Sequence, residues 1–550
     1  MSAAADASPQ SGAAANAAHA GNAPTNPPPL TGTALALGTL SLSLATFMNV
    51  LDSTIANVSI PAIAGDMGVS PTQGTWVITS FGVANAVSVP LTGWLTQRFG
   101  AVRLFTTSVV LFVLASWLCG FAPTLEWLVF FRVLQGLVAG PMMPLSQTLL
   151  MSSYPPARVG MALALWGMTT LVAPVAGPLL GGWITDNFSW PWIFYINVPV
   201  GLAAAALTWS IYRKRETPVR KLPIDTIGLA LLVLWIGSLQ LMLDLGKEYD
   251  WFAHPAIITL ALVALVGFAF FLVWELTDKH PVVDLRLFAR RNFGFGVATL
   301  SVAYGLFFGN VVLLPLWLQQ WMGYDATAAG MALAPVGLLA IVLTPLVGRK
   351  VGQWDPRWMA TFAFAMFALV MGQRAGFTPQ SDFAHILVPT VLQGAAVAFF
   401  FIPLTTLSLA GIGPERLPAA AGLSNFVRMT AGAFGVSVST TLWESRAQLH
   451  RAHLVERLGA GDPALQQALA ALQAGGLDAT QAMAQLSRLI DQQVFTRAAN
   501  DIFLVSSWIF IGLTLAVWLM QRPSAVFAAS GAGGAARGGP ATPASAMHGD

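Results

Sequence analysis

Fourteen apolar stretches, each near the ~20 residues that carry an α-helix across a bilayer, run along the chain at approximately 33–61, 74–95, 104–122, 127–150, 161–184, 190–212, 224–245, 255–276, 293–318, 326–346, 358–376, 384–409, 421–443 and 501–520. They decide the solvent. Only 9% of the 550 residues are charged, against ~25% in an average soluble domain, so a soluble fold is excluded and lipid surrounds the chain. The expected fold is an all-α polytopic membrane protein with fourteen transmembrane helices. With 33 Phe and 19 Trp, the chain carries far more apolar surface than a solvated coil tolerates. The basic residues are scattered through short loops with no basic face, which argues against a nucleic-acid partner. Cys119 is the one cysteine, so no internal disulfide and no cysteine metal cluster can form.

The ends differ from the middle. Residues 1–32 carry one charge, Asp6, among Ala, Pro, Asn and Ser, and 521–550 repeat Gly, Ala and Pro; both read as disordered cytoplasmic tails. Orientation follows the 27 Lys and Arg, which favour cytoplasmic loops. With the N-terminus inside, eighteen fall on inner segments, from Arg98 and Arg103 to Arg522 and Arg537. The short outer loops hold Lys247 and Arg374, the long outer loop holds five, and Arg132 and Arg428 lie within spans. Both termini are therefore expected in the cytoplasm.

That long outer loop, 444–500, has a helical pattern. Leu465, Leu469 and Leu472 follow a Gly-Asp-Pro start, and Met483, Leu486, Ile490 and Val494 recur after a Gly-Gly break. Its apolar face either docks a partner or caps the bundle's own outer mouth.

Two short sequences recur. Pro-Leu-Thr-Gly at 90–93 is echoed by Pro-Leu-Val-Gly at 345–348, an offset of 255, and Val-Leu-Gln-Gly at 133–136 recurs at 391–394, an offset of 258. Duplicated halves are the architecture in which transporters place a substrate site at the half-to-half interface near mid-membrane. The division that follows is an N-terminal six-helix half at 33–212, two inserted helices with linkers at 213–292, and a C-terminal six-helix half at 293–520.

Span one reads FMNVLDSTIANVSIP, with Asp52 well inside the apolar run. An Asp at mid-helix costs about 2.5 to 3.5 kcal/mol, so it must face a cavity or a partner. Asn49, Asp52, Ala56 and Ser59 share one face by their spacing. A carboxyl removed from water favours its neutral form, which suits a group that takes up a proton outside and releases it inside. A carboxylate permanently paired with Arg or a helix end would also explain it. Arg132 in span four (FFRVLQGLVAGPMMP) is the second candidate, since Thr390 occupies the matching place in the repeat while Val-Leu-Gln-Gly is retained. A fixed guanidinium near a proton site drives protons off or holds a carboxylate ionised; a snorkelling Arg is the alternative. Span five lines up Gly167, Thr170, Pro174, Gly177 and Gly181, with Pro178 and Gly182 in GPLLGG. Small residues let helices approach closely and prolines bend them, which fits a moving interface and static packing equally. Asn49, Gln135, Trp166 and Gln393 are candidate residues of a substrate cavity.

No GxxxxGK[ST] loop, HExxH or Ser/His/Asp cluster is present, so neither ATP drive nor catalytic or metal chemistry is expected. His450 and His453 share a helix face but have no third ligand.

Together these segments resemble a major facilitator superfamily transporter of the fourteen-span drug:proton antiporter family, over approximately residues 33–520. LDSTIANVSIP (51–61) resembles that family's first-span signature, and RVLQG (132–136) its fourth-span arginine motif. GWLTQRFGAVR (93–103) resembles the superfamily loop between spans two and three, with Gly93, Arg98, Gly100 and Arg103 in place and Gln97 where many members have Asp. Gly167 to Gly182 resembles the fifth-span antiporter motif of exporters, and WPWIFYINVPVG (190–201) a sixth-span signature, with Pro191 where Arg or Gly is more usual. The resemblance implies a major facilitator fold of two six-helix halves plus two inserted helices. It implies an antiporter, not an enzyme, that exports amphipathic drugs and toxic compounds across a bacterial inner membrane. The proton motive force would drive it without a cofactor, and a periplasmic adaptor and outer-membrane channel would complete the pump. A proton-coupled exporter of one physiological solute, such as a fatty acid, bile salt or metabolite, and a membrane sensor without transport are the competing readings.

Overall fold

A computed structural model describes residues 28–219, 223, 225–246, 249–278, 281–324, 326–457 and 463–522. Most of both expected tails, and Lys247, lie outside the described residues. Among the described residues the regular structure is helical. The principal helices are α1 (Gly32–Asp66), α2 (Trp76–Phe99), α3 (Ala101–Gly120), α4 (Leu125–Ser153), α5 (Val159–Asn187), α6 (Trp192–Tyr212), α7 (Thr226–Leu245), α8 (Pro255–Thr277), α9 (Arg291–Trp321), α10 (Ala326–Lys350), α11 (Pro356–Arg374), α12 (Phe383–Leu409), α13 (Leu417–Arg457), α14 (Pro463–Ala474) and α15 (Ala479–Ala516).

Twelve helices among the described residues are long and apolar enough to cross a membrane. Of the fourteen expected spans, the two outside that set are α11, which carries Arg357 and Arg374 near its ends, and α13, with Ser424, Asn425 and Arg428 along its first half. Both lie inside the bundle all the same. The helix α11 packs on α12 and α15, and α13 packs on α9 and α15.

Packing repeats as the sequence does. In the first half α1 packs on α5, α2 on α4 and α3 on α6; in the second α9 packs on α13, α10 on α12 and α11 on α15. The inserted pair α7 and α8 pack on each other, and α7 lies along α2. The halves meet where α5 packs on α10 and where α13 packs on α2 and α4. A Cβ on Gly348 of α10 would stand 2.8 Å from the Gly160 carbonyl oxygen of α5, and one on Gly93 of α2 would stand 2.6 Å from the Ala419 Cβ of α13. On the first two turns of α10, Gly330 faces nothing within 4 Å, and neither does Gly337 further along. The close glycine contacts across the halves thus cluster at one end.

The 444–500 segment continues two long helices. The helices α13 and α15 run past the apolar zone, with 41 and 38 residues, and are tied to each other by Arg446 to Asp501 at 3.0 Å, His450 to Asp501 at 2.8 Å and Arg451 to Asp491 at 3.3 Å. Asp478 and Gln481 form a reciprocal cap that starts α15. Val494 is buried, while Leu486 and Ile490 are half-buried and Met483 is exposed.

Candidate functional site

Asp52 lies in the middle of α1 with no exposed surface, and the face it shares with Asn49, Ala56 and Ser59 is buried against neighbouring helices. Asn49 Nδ2 donates to the Ala139 carbonyl of α4 (3.2 Å), and Ser59 bonds Thr185 of α5 (2.8 Å). The carboxylate is held by three side chains. Arg132 Nη1 donates to Oδ2 (2.5 Å), while Oδ1 accepts from Gln135 Nε2 (3.1 Å) and Asn197 Nδ2 (2.8 Å). Arg132 and Gln135 are three apart on α4 and so share a face; Asn197 opens the long segment of α6 and also donates to Ser116 Oγ of α3 (3.0 Å).

The arginine is as enclosed as its partner. Its Nε donates to the Val77 carbonyl of α2 (3.0 Å), Nη1 also reaches Gln135 Oε1 (2.7 Å), and the guanidinium lies 4.2 Å over the Phe81 ring. A buried ion pair survives desolvation only with good geometry and further hydrogen bonds, and this cluster draws them from α2, α4 and α6. The Asp52 carboxylate is the shared acceptor through which Arg132, Gln135 and Asn197 are held together. The sequence located Asp52 and Arg132; the Asn197 contact lay hidden inside a quoted motif.

The fifth-span residues divide. Gly177 and Gly181 pack on α1 within the same half: a Cβ on Gly177 would collide with Thr54, and one on Gly181 would stand 2.7 Å from the Ile55 carbonyl oxygen. Gly182 approaches Val58 of α1, whereas Gly167 faces Phe401 across the halves at 3.3 Å. Pro174 is half-buried, and the Pro178 side chain lies outside the described residues. The tight stripe thus grips α1 within a turn of Asp52. A larger residue there overpacks α5 against α1. Overpacking costs ~1 to 3 kcal/mol, and Gly177→Leu is expected to slow transport about tenfold or more while the protein still inserts in the membrane. Normal transport by Gly177→Leu in proteoliposomes would take α5 out of the cycle.

In the loop after α2, Gly100 has φ +88°, a region that favours glycine, and the guanidinium of the half-buried Arg98 lies 5.5 Å from the Trp94 ring. Glu216, on the linker after α6, was not singled out from sequence. It caps α3 by accepting from the Val102 (3.0 Å) and Arg103 (2.9 Å) backbone N–H groups, and it lies 3.9 Å from the Arg103 guanidinium.

Two further arginines are buried in the second half. Arg374, placed in an outer loop by sequence, instead lies in the last turn of α11 with 1% exposure and donates to Gln393 Oε1 (2.6 Å). The apolar run before it gave no sign of which way its end faced. Arg428 of α13 donates to Asn425 and is enclosed by Tyr304 (4.7 Å), Phe401 (4.8 Å) and Trp166 (5.9 Å). Asn425 Nδ2 reaches Gln147 of α4 (3.0 Å), so this group sits where the halves meet. Of the four cavity candidates, Trp166 reaches this interface, stacked on Phe401 at 5.5 Å, whereas Asn49 and Gln135 lie inside the first half and Gln393 inside the second. Separately, an apolar cavity of about 860 Å³ lies between α7, α8 and α13, lined by Trp235, Phe268, Phe271 and Phe426 among others. No group of three or more His, Cys, Asp or Glu side chains among the described residues is arranged to hold a metal ion.

Comparison with known proteins adds the relationship. The Major Facilitator Superfamily model matches residues 42–436. Multidrug export protein EmrB of Escherichia coli (strain K12) is 52% identical over 509 residues, 92% of this chain and 99% of that protein. Multidrug export protein EmrB of Haemophilus influenzae is 50% identical over 92% and 99% of the two chains, and Fatty acid resistance protein FarB of Neisseria gonorrhoeae is 50% identical over 90% and 98%. Among solved structures, the human organic anion transporter MFSD10 (TETRAN) superposes with a TM-score of 0.56 at 12% identity, covering 89% of this chain and all of that one.

Proposed function

The chain belongs to the Major Facilitator Superfamily, and we propose that it is a proton-driven antiporter exporting amphipathic drugs and toxic compounds across a bacterial inner membrane. The observation that carries this reading is the Asp52–Arg132 pair, buried in the first half and bonded by three helices. A buried carboxylate that changes charge is the simplest device for linking proton uptake to a change of packing. Half-to-half close contacts at the end carrying the basic loops support an outward-facing arrangement. In it the aromatic enclosure of Arg428 forms the floor of the substrate path, with flat apolar faces beside a cation. The test is transport in proteoliposomes: an imposed proton gradient should drive accumulation of an amphipathic dye, and an uncoupler should abolish it.

A second reading is export of one physiological amphipath, supported by the name of the Neisseria relative. A competition panel separates them. Inhibition by many unrelated amphipaths favours the multidrug reading, and inhibition by fatty acids alone favours the single-solute one.

We further propose that both termini are cytoplasmic and that the extension of α13, α14 and α15 is the docking element for a periplasmic adaptor, which in turn engages an outer-membrane channel. Deleting 460–495 is expected to abolish co-purification of the adaptor while leaving membrane insertion intact. Undiminished co-purification would move the contact elsewhere.

A further inference from the structure

The interiors of the two halves are charged differently. Among the described residues the buried charges of α1 to α6 are Asp52 and Arg132, a balanced pair, whereas those of α9 to α15 are Arg374 and Arg428, both cations. The repeat shows how this arose. At the offset of 258 that carries Gln135 to Gln393, Thr390 stands in the place of Arg132; at the offset of 255 set by the other repeated segment, Arg374 stands in the place of Cys119. The replacement occupies the same place around the glutamine. Cys119 Sγ lies 3.6 Å from Gln135 Oε1, and Arg374 Nη2 lies 2.6 Å from Gln393 Oε1. The second half thus carries a guanidinium on the counterpart of α3 where the first half carries one on α4, and among the described residues no buried carboxylate of α9 to α15 accompanies it.

What remains is a set of donors. Arg374 is 1% exposed, its polar contacts are Gln393 and the Thr390 hydroxyl (3.4 Å), and it has no ion-pair partner among the described residues. Arg374 Nε and Gln393 Nε2 are both buried without an acceptor. Gln393 presents its oxygen to the arginine, which leaves its NH₂ as a free donor. A buried cation without a counter-charge and two unsatisfied donors on adjacent side chains are costly in a low-dielectric interior. An anionic acceptor here would supply the counter-charge that Asp52 gives Arg132 in the first half. We propose that the second half binds a monovalent anion at Arg374 and Gln393, either a free halide or the carboxylate head of an amphipathic compound.

Binding is tested on the purified full-length protein, by a readout independent of transport. The thermal unfolding midpoint is measured in sodium gluconate, with chloride or laurate substituted at constant ionic strength. A saturable rise of a few degrees is expected with one of them: chloride alone identifies a free ion, and laurate alone identifies a substrate head group. The decisive variant is Gln393→Glu, which keeps the acceptor facing Arg374 and supplies the missing charge. Its midpoint should no longer depend on the anion. Arg374→Gln should likewise lose the response. Equal wild-type midpoints in all three salts, or a Gln393→Glu protein that retains the full wild-type shift, would overturn the proposal.

Discussion

Replacing Asp52 by asparagine is expected to abolish uphill export while leaving binding of neutral compounds in place. A 100 mV potential supplies ~2.3 kcal/mol per proton, enough for about a 50-fold concentration ratio of drug for each proton exchanged, and only a group that binds protons and drug in alternation can pass this on. Asparagine keeps an acceptor for Gln135 and Asn197 but can carry no proton. Proteoliposomes containing Asp52→Asn should therefore equilibrate substrate down its gradient and show no response to an imposed pH difference. The substitution leaves Arg132 buried without its counter-charge, and breaking a buried pair costs ~3 to 5 kcal/mol. The double variant Asp52→Asn, Arg132→Gln controls for that loss, and it should recover stability without recovering coupling.

Arg132→Ala should fail as well. It strips Asp52 of its cation, leaves Gln135 and Asn197 as the remaining donors, and empties the space over the Phe81 ring. The carboxylate then loses the one ion pair that the described residues of the first half provide for it, and exchange of substrate against the proton should fail. Export at neutral pH should fall by about two orders of magnitude, the equivalent of ~2.7 kcal/mol. Arg132→Lys retains the charge but not the fork that reaches Val77, Gln135 and Asp52 together, and should fall between Ala and wild type. A pH–rate profile of Arg132→Ala that superimposes on wild type would show that the arginine has no part in the proton step.

Much of this was legible in the sequence because lipid enforces simple rules. A charge inside an apolar run is expensive, so Asp52 and Arg132 stood out by position alone. Two echoes of four residues revealed the duplication that the helix pairings repeat. Other features depended on which surfaces meet, and helical periodicity does not specify this. Gly177 and Gly181 fit a moving interface and static packing equally by sequence; the helix they touch is α1 of the same half, while glycine contacts between the halves include Gly160 with Gly348. Arg374 was assigned to a loop because it ends an apolar run, although α12 folds over that end and buries it. Glu216 lies in a polar linker like any other acidic residue, and only the return of that linker to α3 makes it a cap. The outer loop's helical pattern was plain, but its being a prolongation of α13 and α15 was not, since apolar content falls away while the helices continue.

The central claim is that Asp52 is the proton carrier and that substrate displaces its proton. Drug-induced proton release from detergent-solubilised protein, followed with a pH indicator in weakly buffered solution from roughly pH 6 to roughly pH 9, tests it most directly. Wild type should release protons on adding an amphipathic substrate, with an amplitude that varies with pH, and Asp52→Asn should release none while still binding the compound. Equal release from both proteins would make Asp52 a structural residue and move the coupling carboxyl elsewhere, with Asp225 and the buried Glu275 of the inserted pair next in line.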